Sequence, residues 1–341
     1  MVLRPATTGT GRDEHPDTQL VSNFRFAWLW TAPRAGHTNP RAALAAQTPK
    51  SATGHHGETL AQVSLDGLDL FLSNCKYKYV RMVGARQSRM AILDYSDQNW
   101  RDALGMPKGQ EPAALILEGT WWRNAATNAR LDRLDDVREL AFPDMYAGSW
   151  QGQTIAYCCA YGAARAVEPT HIFAQMGTRV VIQLGTCGSL DVDAMPGSVA
   201  LPQACAARDG ISQHYGGGDT VFTDPDLVGQ AEICLMDRDV KTARTNHLTW
   251  PSLFAQSDEM CTNWTQEGLQ TIDMETSAVI AVGDTYGAKT LSMLTVWDVL
   301  RHGQTFMDPL EPEDDARVRR SNEIIFDVAL EVIHAQGQSR H

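Results

Sequence analysis

The sequence has no hydrophobic run long enough to cross a bilayer and no motif that would hold a metal or a dinucleotide. An early apolar cluster, residues 24–30, is far shorter than the roughly 20 residues that a membrane-spanning helix needs. Residues 1–17 are polar and mixed, unlike a signal peptide. HExxH, a spaced set of Cys and His, and GxGxxG are all missing. We therefore expect no membrane partner, no metal and no other cofactor.

Positive charge and paired cysteines are also scarce. The chain has 41 Asp and Glu against 29 Lys and Arg, a net charge of −12 at pH 7. This balance argues against nucleic acid or an anionic membrane surface as a partner. The seven cysteines are an odd number and are scattered without paired spacing. This usage predicts a reducing compartment, and we expect a cytoplasmic protein.

What the sequence does have is a β-branched apolar run that ends in a turn of small residues. Residues 180–184 read as a buried strand, and Gly185-Thr186-Cys187-Gly188 follows at its carboxyl end. Glycines there allow backbone N–H groups to turn toward a ligand, and Thr186 adds a hydroxyl. Because open α/β sheets bind ligands beyond the carboxyl ends of their strands, this turn is a candidate binding loop, with an ordinary glycine turn as the alternative.

Carboxylates mark two further positions of interest. Asp273 and Glu275 stand at the start of a helical pattern, and Asp298 ends the strand-like run of residues 290–298. Helix-capping acids and a turn aspartate are the plainer interpretations of these three residues.

Strand-like and helix-like segments alternate from residue 113 onward, which is typical of an α/β domain with helices on both faces of a sheet. The pattern predicts a strand at 113–118, a helix at 125–140 and a final amphipathic helix at about 315–336. We expect an N-terminal extension over 1–110, partly loop with a small β element, and a catalytic domain over 111–337. The basic segment 76–89 fits a solvated edge strand better than an anion site.

Five segments in one order carry a family resemblance. They are residues 115–123, Gly185-Thr186-Cys187-Gly188, residues 208–215, Asp273-Met274-Glu275 and Trp297-Asp298. Together they resemble the nucleoside phosphorylase and nucleosidase superfamily, which includes purine nucleoside phosphorylase and uridine phosphorylase. AMP nucleosidases are similar as well, and they too carry an N-terminal extension. The resemblance implies a three-layer α/β/α phosphorylase-like domain with a central mixed sheet, and a homo-oligomer.

The resemblance also assigns roles to the carboxylates. Glu275 would accept hydrogen bonds from the ribose hydroxyls and favour positive charge at C1′, while Met274 would pack against the sugar. Asp273 and Thr186 complete the predicted ribose site, although Asp273 replaces the family's Glu. Asp298 would protonate the leaving purine at N7, and an apolar neighbour such as Trp297 would raise its pKa.

The predicted base site comprises Asp298 with Trp250 or Phe254, each of which could stack on a base or lie in the core. Uridine phosphorylases read uracil with a Gln and an Arg shortly after an aromatic pair. Here these positions resemble Leu253 and Ala255, so we expect a purine-type nucleoside or nucleotide as substrate.

The acceptor is the open question. The predicted phosphate or water site contains Gly119, Arg123, Gln183, Gly185 and Thr186. Phosphorylases place arginines where this chain has Gln183 and Ala141, and a dianion would lose the charge-assisted bonds that they supply. The sequence therefore favours hydrolysis of the N-glycosidic bond. Phosphorolysis to ribose 1-phosphate, with inorganic phosphate as a second ligand, is the alternative, and a non-catalytic nucleoside-binding relative is a third possibility. Related nucleosidases have a catalytic Glu at the Arg123 position, and the carboxylate nearest to it here is Glu118.

Overall fold

Strands and helices alternate along the part of the chain that the computed structural model describes, which is residues 95–120, 123–191 and 194–338, with backbone only at residue 123. The strands are β1 (Ala114–Gly119), β2 (Asp135–Glu139), β3 (Met145–Trp150), β4 (Gln153–Cys159), β5 (Val180–Ser189), β6 (Val199–Ala207), β7 (Thr220–Phe222), β8 (Thr242–Thr249), β9 (Thr271–Asp273) and β10 (Lys289–Val299). The helices are α1 (Asp97–Leu104), α2 (Arg123–Leu131), α3 (Ala163–Gln175), α4 (Pro225–Met236), α5 (Asp258–Gln266), α6 (Thr276–Tyr286) and α7 (Pro312–Gln338), with 3₁₀ turns at Ser212–Tyr215 and Leu300–His302.

The ten strands form one mixed sheet in the order β10-β6-β8-β9-β5-β1-β4-β3-β2, with β7 on β6. β1 runs parallel to β4 and β5, and β5 runs parallel to β10. β5 also pairs antiparallel with β9, so strands β5, β9, β8, β6 and β10 close on themselves. This mixed sheet confirms the α/β expectation.

Successive side chains of the central strands pack alternately into two hydrophobic cores. In β1, Ile116 packs in the core that also contains residues of α4 and α7, and Leu115 packs in the core that contains residues of α1 and α3. Ile182 and Val181 of β5 divide between the same two cores. Because successive side chains of a strand point to opposite faces, this pattern places helices on both sides of the sheet.

The helix predicted over 125–140 is wrong in its second half. The helix α2 ends at Leu131, and β2 then pairs antiparallel with β3. The register of this pair shifts between Asp135 and Arg138, and Asp136 has φ 52. Pairing with a neighbouring strand outweighs the weak local preference of this charged segment for a helix.

The final helix is confirmed by α7, which places Ile325, Val328 and Ala329 in a hydrophobic core. Among the described residues, no helix combines the length and apolar character that a bilayer crossing requires. The division at residue 110 stays a prediction. Most of the expected extension, including the basic segment 76–89, lies outside the described residues, while α1 packs Trp100 and Leu104 beside Leu115.

Candidate active site

The carboxyl ends of three parallel strands meet at one edge of the sheet. Gly119 of β1 stands opposite Gly185 of β5, and Gly188 stands opposite Asp298 of β10. A register shift between Val296 and Asp298 breaks the regular pairing there. The structure thus brings together three of the segments on which the sequence prediction rested.

Glu275 lies buried at this edge as the N-cap residue of α6, with 5% of its surface exposed. One carboxylate oxygen accepts a hydrogen bond from the Gly162 N–H, and the other accepts from the Met274 N–H at 3.3 Å. A Cβ at Gly119 would lie 3.1 Å from Cδ and Oε1 of Glu275, so the glycine leaves room for the carboxylate. Burial, assisted by the negative charge of Asp273, raises the pKa of Glu275 to about 8.

Asp298 is the second carboxylate at the edge, and it is 6% exposed. A Cβ at Gly188 would lie 3.1 Å from its Oδ1, so the second glycine of the turn makes room for this side chain. Burial raises the pKa of Asp298 to about 7, although its own backbone N–H and that of Phe306 stabilise the charged form. A carboxyl group that keeps its proton near neutral pH can act as a general acid.

Asp273 is also buried, but its carboxylate contacts protein donors. His247 Nε2 and Thr249 Oγ1 each lie 2.9 Å from Oδ1, and the N–H of Thr276 donates to Oδ2 at 3.0 Å. Although burial alone would raise the pKa of Asp273, His247 and these hydrogen bonds hold it below its usual range. His247 was missed by sequence reasoning, because no local pattern marks it.

Gln183, predicted at the acceptor site, lies in the same cluster and is 1% exposed. Its Nε2 donates to Oδ2 of Asp273 at 3.0 Å. Its Oε1 accepts from Ser292 Oγ at 2.6 Å and lies 2.6 Å from Thr276 Oγ1. The amide of Gln183 is therefore engaged on both its nitrogen and its oxygen.

The other predicted ligands differ in exposure. Thr186 and Met274 are half-buried, and Met274 lies between Asp273 and Glu275 in the chain. Arg123 begins α2, but its side chain lies outside what the structure describes, so its predicted anion contact stays a prediction.

The two predicted base-stacking residues lie in different surroundings. Trp250 packs in a hydrophobic cluster with its ring 5.3 Å from that of Trp264, and its Nε1 donates to the carbonyl of Ala255 at 3.3 Å. Phe254 is 82% exposed, and its ring lies 6.3 Å from that of Phe306. The backbone N–H of Phe306 contacts Asp298, so the Phe254–Phe306 pair lies near this carboxylate, and the role of either aromatic residue in binding a base stays a prediction.

Glu118 and Asp209 each centre a polar cluster near the site, and sequence reasoning did not predict the partners of either. Glu118 accepts two hydrogen bonds from Arg130, at 2.9 and 3.1 Å, and one from the Tyr157 hydroxyl at 2.8 Å. Asp209 accepts hydrogen bonds from the hydroxyls of Ser212, at 2.5 Å, and Ser277, at 2.6 Å. The second cluster ties the 208–215 segment to the start of α6. Both link residues too far apart in sequence for local patterns to show.

Comparison with known proteins identifies a family for this chain. The model of the phosphorylase superfamily matches residues 128–333. A DeoD-type purine nucleoside phosphorylase of Alkaliphilus metalliredigens is 22% identical over 59% of this chain and 89% of its own length. A guanosine phosphorylase of Halorubrum lacusprofundi is 25% identical over 55% of this chain and 83% of its own.

Two solved structures share the fold. Uridine phosphorylase of Vibrio fischeri has a TM-score of 0.58 at 20% identity and covers 67% of this chain and 94% of its own. The P. knowlesi homologue of P. falciparum PNP has a TM-score of 0.55 at 14% identity and covers 75% of this chain and 97% of its own. These likenesses confirm the predicted phosphorylase-like α/β fold. Because the family model also matches more than half of the residues, the chain belongs to the phosphorylase superfamily.

Proposed function

We propose that this protein cleaves the N-glycosidic bond of a purine-type nucleoside and releases the free base. The observation that carries the proposal is the pair Glu275 and Asp298, two buried carboxyl groups that the glycines at 119 and 188 admit to one edge of the sheet. The raised pKa of both groups is typical of catalytic acids and bases.

The two groups divide the chemistry between them. Ionised Glu275 accepts hydrogen bonds from the ribose hydroxyls, and its charge stabilises the oxocarbenium character that develops at C1′. Protonated Asp298 gives its proton to N7 of the purine, so that the electrons of the C1′–N9 bond leave with a neutral base. The acceptor oxygen then bonds to C1′ from the face opposite the base.

Phosphate is the acceptor that the comparisons favour. The similar proteins named above are phosphorylases, and phosphorolysis gives ribose 1-phosphate and the base. This support outweighs the sequence-based preference for hydrolysis, which rested on missing arginines.

Hydrolysis is a second candidate because of one structural observation. Gln183 stands where phosphorylases carry an arginine, and its amide is hydrogen-bonded to Asp273 and Ser292. A side chain held in this way offers no charge to a phosphate dianion. Water needs no such charge.

Incubation with inosine, adenosine, guanosine, AMP and uridine, with and without phosphate, tests the proposal. Ribose 1-phosphate with a rate that saturates in phosphate supports phosphorolysis, and free ribose at a phosphate-independent rate supports hydrolysis. We expect kcat/KM for the best purine nucleoside to exceed that for uridine by at least about tenfold, since Leu253 and Ala255 offer no polar contact to uracil. Glu275→Gln is the matched inactive control. Binding without any product would contradict the proposal and favour a non-catalytic relative.

A further inference from the structure

The carboxylate of Asp273 is surrounded by donors from several elements. Oδ1 accepts from Thr249 Oγ1 and lies 2.9 Å from His247 Nε2, both on β8. Oδ2 accepts from Gln183 Nε2 at 3.0 Å, from the Thr276 N–H at 3.0 Å and from Thr276 Oγ1 at 2.6 Å. The side chain of Asp273 is 1% exposed and that of His247 is 0% exposed. Both oxygens of this almost fully buried carboxylate already accept hydrogen bonds from protein groups, so Asp273 presents no exposed acceptor to a ribose hydroxyl.

The donors are themselves held in place. Gln183 on β5 accepts a hydrogen bond from Ser292 on β10, at 2.6 Å. His247 Nδ1 lies 2.8 Å from Thr271 Oγ1 on β9. The cluster therefore connects strands β5, β8, β9 and β10 to the first residue of α6. The connections between strands join neighbours that already pair in the sheet, and those to Thr276 add the helix, which makes the position of Asp273 rigid.

Glu275 follows Asp273 by two residues and occupies the N-cap position of α6. We propose that Asp273 is an anchor rather than a substrate ligand, and that Gln183 and His247 are positioning residues that act through it to fix the turn carrying Met274 and Glu275. The inference rests on the proposed function, because it takes Glu275 as the group that grips the ribose. It gives Gln183 a task other than binding the acceptor.

The titratable groups around Asp273 fit this task. His247 lies 2.9 Å from it on β8, and Glu275 follows it by two residues. Burial and the charge of Asp273 raise the pKa of the thiols of Cys187 on β5 and Cys205 on β6. His247 supports the charged form of Asp273, whose negative charge adds to burial in raising the pKa of Glu275. The anchor thus acts on Glu275 through both geometry and charge.

Gln183→Glu and Gln183→Met test the contact without using activity. In Gln183→Glu, an ionised carboxylate would stand about as far from Asp273 as the amide now does, 3.0 Å, and would repel it. We expect the Tm of Gln183→Glu to fall below that of Gln183→Met as the pH rises from 5 to 8. Thr170→Val is the matched control, because Thr170 is a buried hydroxyl that bonds the Ala166 carbonyl of its own helix. A Tm difference that does not change with pH would overturn the contact.

Steady-state kinetics then test the positioning role. We expect Gln183→Met to lower kcat at least tenfold while KM for phosphate, or KM for the nucleoside where the rate does not depend on phosphate, stays within about threefold. Thr170→Val should change neither constant. His247→Gln, which keeps a donor, should retain more of kcat than His247→Leu. An unchanged kcat with a tenfold higher KM for phosphate in Gln183→Met would make Gln183 an acceptor ligand and overturn the inference. A wild type without cleavage activity would overturn the proposed function instead, and the Tm series would still decide whether Gln183 contacts Asp273.

Discussion

Two buried glutamates, Glu118 and Glu275, lie beside the same glycine and have opposite surroundings. Glu118 directly precedes Gly119 in β1, is 1% exposed and receives both a bidentate arginine and a tyrosine hydroxyl. Glu275 fills the space that a Cβ at Gly119 would need, is 5% exposed and accepts hydrogen bonds from backbone N–H groups. The negative charge of Asp273 contributes to the raised pKa of Glu275.

The difference distinguishes a carboxylate that stabilises the fold from one whose charge is available to a substrate. The ion pair of Glu118 holds α2 to the sheet, and Arg130 also donates to the Asn322 carbonyl at 2.7 Å and lies 5.1 Å from the ring centroid of Phe326 on α7. A carboxylate already neutralised by such a partner offers little to a substrate. Glu275 has no such partner among its contacts in the described residues, so its charge is available to a positive centre. Nearness to the Gly119 loop alone does not make Glu118 a substitute for a nucleosidase's glutamate.

The largest effect that tests this comparison is the loss of activity in Glu275→Gln. The amide keeps the size of the side chain but removes the charge that stabilises C1′, and we expect kcat/KM for the best purine nucleoside to fall about a thousandfold. Product release followed by chromatography measures it, with circular dichroism as the control for folding. Turnover within tenfold of the wild type would remove Glu275 from the proposed mechanism.

Glu118→Gln should act on stability instead. Arg130 would stay buried, with 7% of its side chain exposed, but without a counter-charge, and breaking a buried pair in this way costs about 3 kcal/mol. Urea unfolding at pH 7.5 measures the loss, and Arg130→Met should give a loss of similar size. If Glu118→Gln instead kept wild-type stability and lost activity as severely as Glu275→Gln, the distinction between the two glutamates would be wrong.

The elements that carry this comparison were largely predictable from sequence. The apolar run of β5, the glycines at 185 and 188 and the carboxylate pair before α6 are local patterns, and the structure places them at one edge of the sheet. Strand alternation and the positions of the turns follow from hydrophobicity and glycine content alone.

The partners of these residues could not be predicted in the same way. Gln183 and Asp273 are 90 positions apart, and Arg130 reaches a carbonyl 192 positions away. Such contacts depend on how the sheet closes, which no local pattern encodes. The same reason explains why the helix predicted over 125–140 is wrong in its second half, because β2 forms through its pairing with β3.

The pH dependence of stability should sharpen the contrast between the glutamates. The pKa of Glu275 is about 8 in the folded protein against 4.5 ordinarily, so between these values the folded state holds a proton that the unfolded state has released. The stability that protonated Glu275 contributes to the folded protein is therefore lost as pH rises from about 4.5 to 8. Glu275→Gln has no proton to lose at this position. We therefore expect the free energy of unfolding of the variant, relative to that of the wild type, to be about 2 kcal/mol higher at pH 9 than at pH 5. Urea unfolding at pH 5 and at pH 9 measures both free energies. A difference between variant and wild type that is the same at both pH values would mean that folding does not raise the pKa of Glu275.

The smallest expected effect is on the pH profile of activity. The active form needs Glu275 ionised and Asp298 protonated. The pKa of Glu275 is about 8 and that of Asp298 about 7, so the group that must be ionised has the higher pKa. Below pH 7, the ionised fraction of Glu275 falls about tenfold for each unit by which the pH decreases. Above pH 8, the protonated fraction of Asp298 falls about tenfold for each unit by which the pH increases. The plot of kcat/KM against pH should therefore be bell-shaped, with its maximum between pH 7 and 8. Initial rates at low substrate concentration from pH 5.5 to 9.5 measure the profile. Glu118→Gln should leave both limbs where they are, since Glu118 takes no part in the chemistry. A limb that moved in that variant, or a wild-type profile flat from pH 6 to 9, would contradict the division of roles between these carboxylates.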